Sequence, residues 1–246
     1  CTLLLTVIVA ISLGACERTS QTPSDTIVVL VNGKVGSIDP RFLQTSLDVK
    51  LSRLMIPGLT RLNSETLQPE LNLAASMELE DELTWLITLR PDLKFSNGKP
   101  LRARDVAYTF HSSMNGALKS LSYKAHRERF KRFEVIDERT IRLHLVKPVA
   151  TVLSDLEFGV ISKDDAEKNG GRFPGGFVIG AGPYRTRTYH SEKVLFETNP
   201  FYHGEKPLTA KLLFRTVRDD NARALMLVGG SGDLAQNGVR VDIIDD

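Results

Sequence analysis

Leu83, Trp85, Ile87 and Leu89 alternate with Thr84, Leu86 and Thr88, an Asn97-Gly98 pair follows, and Val106, Phe110 and Met114 then recur every fourth residue. The first spacing is that of a strand with two faces. The second, with Ala103 and Ala107 alongside, is that of a helix with one apolar face. Asn-Gly is a tight-turn signal. A chain that changes period in this way must build both a sheet and a helix with apolar surface to cover. Asp105 in the first helical turn suits the positive end of the helix dipole.

The remaining segments repeat the mixture without a regular β-α-β alternation. Strands are expected at Thr26–Val31, around Val135-Ile136, at Ile141–Leu145, at Val194–Thr198 and at Lys211–Val217. Helices are expected over Leu47–Leu54 and over Asp219–Leu227, the latter with Ala222, Leu225 and Met226 on its apolar side. The stretch from Asn169 to Pro183 is rich in Gly and Pro and reads as a loop. The fold class expected is α+β, a mixed α/β body. There are 32 Lys+Arg against 30 Asp+Glu, a formal charge of +2, which is too neutral for a nucleic-acid binder acting through net charge. An apolar content of 41% excludes a disordered chain, and two cysteines exclude a disulfide scaffold.

Cys1 to Ala15 carries no charge and is dominated by Leu, Val, Ile and Ala. As a helix it spans roughly 22 Å, short of the ~30 Å hydrocarbon core, so it fits a signal-peptide apolar region better than a membrane span. The chain begins with Cys and not Met, so a preceding basic segment is expected. Leu13-Gly14-Ala15-Cys16 resembles the bacterial lipoprotein processing box, with Cys16 as the lipidated residue. Residues 1–15 are then a lipoprotein signal peptide, residues 16–25 a lipidated tether, and residues 26–246 the folded body. No disulfide is expected in that body.

Enzyme signals are weak. The five histidines, at 111, 126, 144, 190 and 203, form neither HExxH nor a close His-x-His pair, so no metal is expected. His144 on an alternating strand reads as solvated. Gly180-x-Gly182 is only part of a dinucleotide fingerprint, and Pro183 stands where the helix should open. Gly229-Gly230-Ser231-Gly232 lacks the Lys-Ser/Thr of a phosphate loop and the spacing of a hydrolase elbow. Lys124–Arg132 is basic, but Glu128 interrupts it, and it reads as a solvated helix face.

Taken together, several segments resemble the family 5 extracellular solute-binding proteins, receptors of peptide and nickel ABC importers. Leu89-Arg90-Pro91-Asp92-Leu93-Lys94-Phe95-Ser96-Asn97-Gly98-Lys99-Pro100-Leu101, then Ala103–Phe110, follows the family's longest ordered motif. Pro57–Thr60, Pro69–Ser76, Asp137–Ile141, Leu145–Pro148, Gly180–Tyr184, Asn199–Tyr202 and Gly232-Asp233-Leu234 match further motifs in order. One departure is Arg102, where the family usually has a Thr able to cap the helix; a cap worth about 1 kcal/mol is expected to be lost, with Asp105 compensating in part.

The resemblance implies lobe I of a class II periplasmic-binding-protein-like fold, with the second lobe and returning segment missing. It implies a lipid-anchored, non-enzymatic receptor in the periplasmic space or at the cell surface. Such a receptor would hold small peptides without a cofactor, deliver them to ABC permease subunits and bind no nucleic acid. In the family the loop after the first strand faces the ligand; here that loop is Lys34, Val35, Gly36, Ser37 and Ile38. Tyr123, after the Asp105 helix, is a further ligand-binding candidate. The alternatives are a membrane-tethered interaction or sensor module reusing the lobe, and a non-functional gene fragment.

Overall fold

The computed structural model describes residues 21–173 and 177–236. The expected signal-peptide and lipidation residues, Cys1 to Cys16, lie outside the described residues. Two sheets organise the chain, each with its own apolar core.

The first sheet is assembled from both ends of the described chain. Strand β1 (Thr26–Val31) opens the fold, and helix α1 (Ser46–Met55) follows it. Short strands β2 (Thr60–Leu62) and β3 (Pro69–Leu71) pair with each other as a hairpin. The second sheet then forms from β4 (Ala74–Asp81), β5 (Thr84–Leu89), β6 (Phe130–Val135) and β7 (Thr140–Leu145), all antiparallel, in the order β4-β5-β7-β6. Helices α2 (Ala103–Ser113) and α3 (Tyr123–Arg129) interrupt it. Helices α4 (Val152–Asp155) and α5 (Lys163–Lys168) lead back towards the first sheet. That sheet is completed by β8 (Tyr184–His190), β9 (Lys193–Thr198), β10 (Lys211–Thr216), helix α6 (Asp220–Val228) and β11 (Leu234–Gln236), in the order β11-β1-β10-β9-β8.

The strand-turn-helix reading is observed. Ile87 and Leu89 of β5 are fully buried with Val106 and Phe110 of α2, and half-buried Trp85 packs against them. Leu83 stands outside β5 and is exposed. Phe110 stacks on Phe133 of β6 with ring centroids 4.2 Å apart, which locks the helix to the sheet. Gly98 turns the chain at φ +81°, a conformation that favours glycine. Arg102 makes no side-chain cap, as expected. Asp105 supplies half of a capping box, accepting from the Arg102 N–H at 2.9 Å with one oxygen. Its other oxygen accepts from the Lys163 N–H at 2.9 Å, so one carboxylate ties two helix starts together.

The matched glycine motif is a packing device. A Cβ on Gly180 would lie 2.0 Å from the Met55 carbonyl oxygen, and one on Gly182 would lie 2.7 Å from that of Leu54. The buried Asn199 donates its side-chain amide to the Gly182 oxygen at 2.8 Å, so the Gly180–Tyr184 and Asn199–Tyr202 motifs brace one another. The two glycines therefore bring the α1 end and the start of β8 into contact.

Three readings need correction. Residues 21–25 are bound to the body and not a free tether: the Gln21 N–H donates to the Gly230 oxygen at 2.9 Å, and Asp25 pairs with Lys211. The buried side of α6 carries Arg223 and Ala224, while Leu225 is 71% exposed. Arg223 turns inward because its guanidinium donates to the Val217 and Arg218 oxygens at 2.6 and 3.0 Å, which outweighs the apolar pattern. His144 is half-buried and bonded to Glu134 at 2.9 Å, not freely solvated.

Candidate functional site

Strands β11, β1 and β10 run parallel, with Val31 opposite both Gln236 and Thr216. Their carboxyl ends therefore meet at one edge of the sheet, the place where open α/β sheets gather ligand-binding loops. The 32–38 loop leaves β1 at that edge. It is stitched to the end of β10 by the Val217 N–H to the Val31 oxygen at 2.8 Å and by the Thr216 hydroxyl to the Gly33 oxygen at 2.9 Å.

A buried carboxylate fixes the far side of the loop. Asp48, in the first turn of α1, accepts from the backbone N–H groups of Gly36 (2.9 Å), Gln44 (3.2 Å) and Thr45 (3.1 Å). Tyr189 on β8 donates its hydroxyl to the Val35 and Gly36 oxygens at 3.2 and 3.0 Å. Burial and the Asp48 charge push the Tyr189 phenol above its ordinary range, which keeps it the donor this contact needs. The loop is thus held in one shape by its backbone.

That shape divides the five loop candidates. Lys34 and Gly36 are exposed and Ser37 is half-buried. Val35 (3% exposed) and Ile38 (0%) point into the core below the first sheet, so their side chains pack and only their backbone groups can meet a ligand. Lys34 pairs with Glu192 at 3.1 Å, and that pairing lowers the Glu192 carboxyl from its usual value. A recess of about 200 Å3 opens between this loop and the α1 start, lined by Asn32, Lys34, Thr45, Ser46 and Gln236 among others. It is below the usual size of a complete small-molecule site, roughly 300–1,000 Å3.

Tyr123 is the first residue of α3 and is partly exposed. The segment before it is joined to the segment after the loop at Arg41, whose backbone oxygen accepts from the Leu121 N–H and the Ser120 hydroxyl, each at 3.0 Å. The Arg41 guanidinium takes both oxygens of Asp39 and also donates to the Ser112 hydroxyl (3.1 Å) and the Gly171 oxygen (2.8 Å). Sequence reasoning missed this node. Asp39-Pro40 reads only as a break, and nothing in the local pattern marks Arg41 as buried.

The edge offers hydrogen bonds and one ammonium group, an inventory suited to non-covalent capture. Among the described residues no group of three or more His, Cys, Asp or Glu could hold a metal ion. The nearest thing to a nucleophile-base pair, Ser113 Oγ with His126 Nδ1 at 2.6 Å, is packed against Phe110 and Phe158, with Ser113 fully buried. Among the described residues no helix is long and apolar enough to cross a membrane.

Comparison with known proteins agrees with this inventory. The glutathione-binding protein GsiB of Salmonella typhi is 25% identical over 214 residues, covering 85% of this chain and 41% of GsiB. NikZ from Campylobacter jejuni, solved in complex with Ni(L-His), superposes with a TM-score of 0.79 at 25% identity, covering 87% of this chain and 43% of that one. DppA from Helicobacter pylori, solved with the peptide STSA, superposes with a TM-score of 0.75 at 25% identity, covering 84% and 45%. The chain spans under half the length of these relatives, and its fold is mixed α/β, matching part of a class II periplasmic binding protein. Residues 68–244, well over half of the sequence, match the family described as bacterial extracellular solute-binding proteins, family 5 Middle, and the chain belongs to that family.

Proposed function

We propose that the chain is part of a lipid-anchored receptor of an ABC importer, which holds short peptides non-covalently at the carboxyl edge of β11, β1 and β10 and passes them to permease subunits. The observation that carries this reading is the backbone-fixed 32–38 loop over the recess at that edge. Lys34 would meet a peptide carboxylate by exchanging its Glu192 partner, an exposed pair that holds it only weakly. The exposed Gly36 and half-buried Ser37 would supply backbone and hydroxyl contacts, and the backbone of Val35 and Ile38 would frame them. Tyr123 would add an aromatic contact from α3. Residues 26–246 act as lobe I in this scheme, and the role is binding, not catalysis.

Uptake of labelled oligopeptides tests the reading. Deleting the gene should slow peptide uptake by the host cell and leave uptake of free amino acids unchanged; undiminished peptide uptake overturns it. The anchor has its own test. Labelled palmitate should enter the protein and be lost in Cys16→Ala, whereas continued labelling of that variant removes Cys16 from the scheme.

A further inference from the structure

A second recess, of about 490 Å3, lies between the β2–β3 hairpin, Arg90 just past the end of β5 and the turn after β9. It is distinct from the site described above. β9 runs antiparallel to β10, with Glu197 opposite Lys211, so the turn after Thr198 sits at the opposite edge of the first sheet from the 32–38 loop. Asn72, Arg90 and His203 line it, with Arg61 and Tyr202 beside them.

Three hydrogen-bond donors converge here without an acceptor. Arg90 spends its Nε on the Asn72 backbone oxygen at 2.6 Å, and among the described residues its two terminal nitrogens have neither a hydrogen bond nor a carboxylate partner. Arg41, Arg53, Arg61, Arg104, Arg142 and Arg185, by contrast, are each ion-paired. Asn72 is only 8% exposed, and among the described residues its side-chain amide makes no hydrogen bond to protein, opening instead onto the recess it lines. The half-buried His203 ring makes no hydrogen bond among them either.

Two arginines dominate the charge acting on the ring. Burial lowers the His203 pKa, and the Arg90 and Arg61 guanidinium groups lower it further. Glu70 is already spent on Arg61 at 2.5 Å, and Glu205 is exposed at the rim and pairs with neither arginine. The recess is therefore polar and locally positive, with a guanidinium edge free to grip two oxygens at once.

We propose that this recess binds a small oxyanion, a carboxylate or a phosphate, gripped by the Arg90 terminal nitrogens with the Asn72 amide and His203 as flanking donors. A bound anion takes up the open Arg90 and Asn72 donors and reverses the field at the ring.

Histidine NMR titration of the full chain tests this, run in chloride, inorganic phosphate and acetate at matched ionic strength. Expected is a saturable rise of the His203 pKa by roughly half a pH unit or more in the binding anion, while the other histidines keep their values. Arg90→Met should lose the response. Asn72→Asp, which places a fixed carboxylate in the recess, should raise His203 in chloride alone and abolish the response to added anion. A response to phosphate only, or to acetate only, assigns the class of oxyanion. Identical His203 titration in all three salts overturns the proposal, as does an undiminished response in both variants.

Discussion

Arg41 and Asp39 form a buried ion pair between the candidate loop and the rest of the body. Arg41 is 0% exposed and Asp39 4%, and the Arg41 Nε and Nη2 meet the two carboxylate oxygens at 3.0 and 2.7 Å. Asp39 also accepts from the Arg41 N–H at 3.0 Å and so caps the Pro40–Phe42 turn. The pair has its remaining donors occupied by Ser112 and Gly171, as a desolvated guanidinium requires.

Removing one partner leaves a buried charge alone. Asp39→Asn or Arg41→Met should each lower unfolding stability by about 3–5 kcal/mol in denaturant titrations. The double variant should lose much less than the sum of the two. Additive losses would mean that the two charges do not depend on one another.

Phe95 is 1% exposed and sits in the core shared by α2 and the second sheet. Phe95→Ala should cost about 3–5 kcal/mol through the cavity it opens. A thermal melt unchanged by the substitution would place this ring outside the core.

His126 makes stability fall in acid. Burial, reinforced by the charge of Arg129, pushes its pKa from 6.5 down to about 4, so the native state holds the ring neutral. The unfolded chain takes up a proton from pH 6.5 downwards, while the folded chain resists until about pH 4. Stability is therefore full above pH 6.5 and declines between those values, by about 3 kcal/mol in total. Burial raises Asp105, which works in the opposite sense, so the two have to be separated. The difference between parent and His126→Gln urea midpoints, followed from pH 7.5 to 4, should grow smaller as the pH falls; a constant difference would contradict the assignment.

Gly182 is required for close approach and not for a positive φ. An added Cβ would come within 2.7 Å of the Leu54 oxygen and of Met55 backbone atoms that cannot move aside. Gly182→Ala should therefore destabilise strongly, by more than the ~1 kcal/mol expected of glycine replacement on backbone-entropy grounds alone. At Gly33, where a Cβ meets nothing within 4 Å, alanine should be tolerated. Equal melting temperatures for the two variants would refute the packing role.

The sequence by itself determined the local elements and their order. Alternation at Trp85, Ile87 and Leu89 and four-residue recurrence at Val106 and Phe110 are short-range burial patterns, and β5 and α2 follow them. The ordered run from Leu89 to Phe110 was enough to indicate the family. Where a long side chain makes its contacts is set by chain far away in sequence, and only the tertiary structure decided that. Arg41 is buried because Ser112 and Gly171 arrive beside it, and Arg223 displaces Leu225 from the inner face of α6 because the Val217 and Arg218 carbonyls face it. In the candidate loop, Val35 and Ile38 turn inward because Tyr189 and Asp48 hold the backbone from two other elements. The Arg90–His203 recess joins β5 to the turn after β9, segments whose proximity no local period records. Periodicity reports which face of one element avoids water; which distant element covers that face depends on packing between segments.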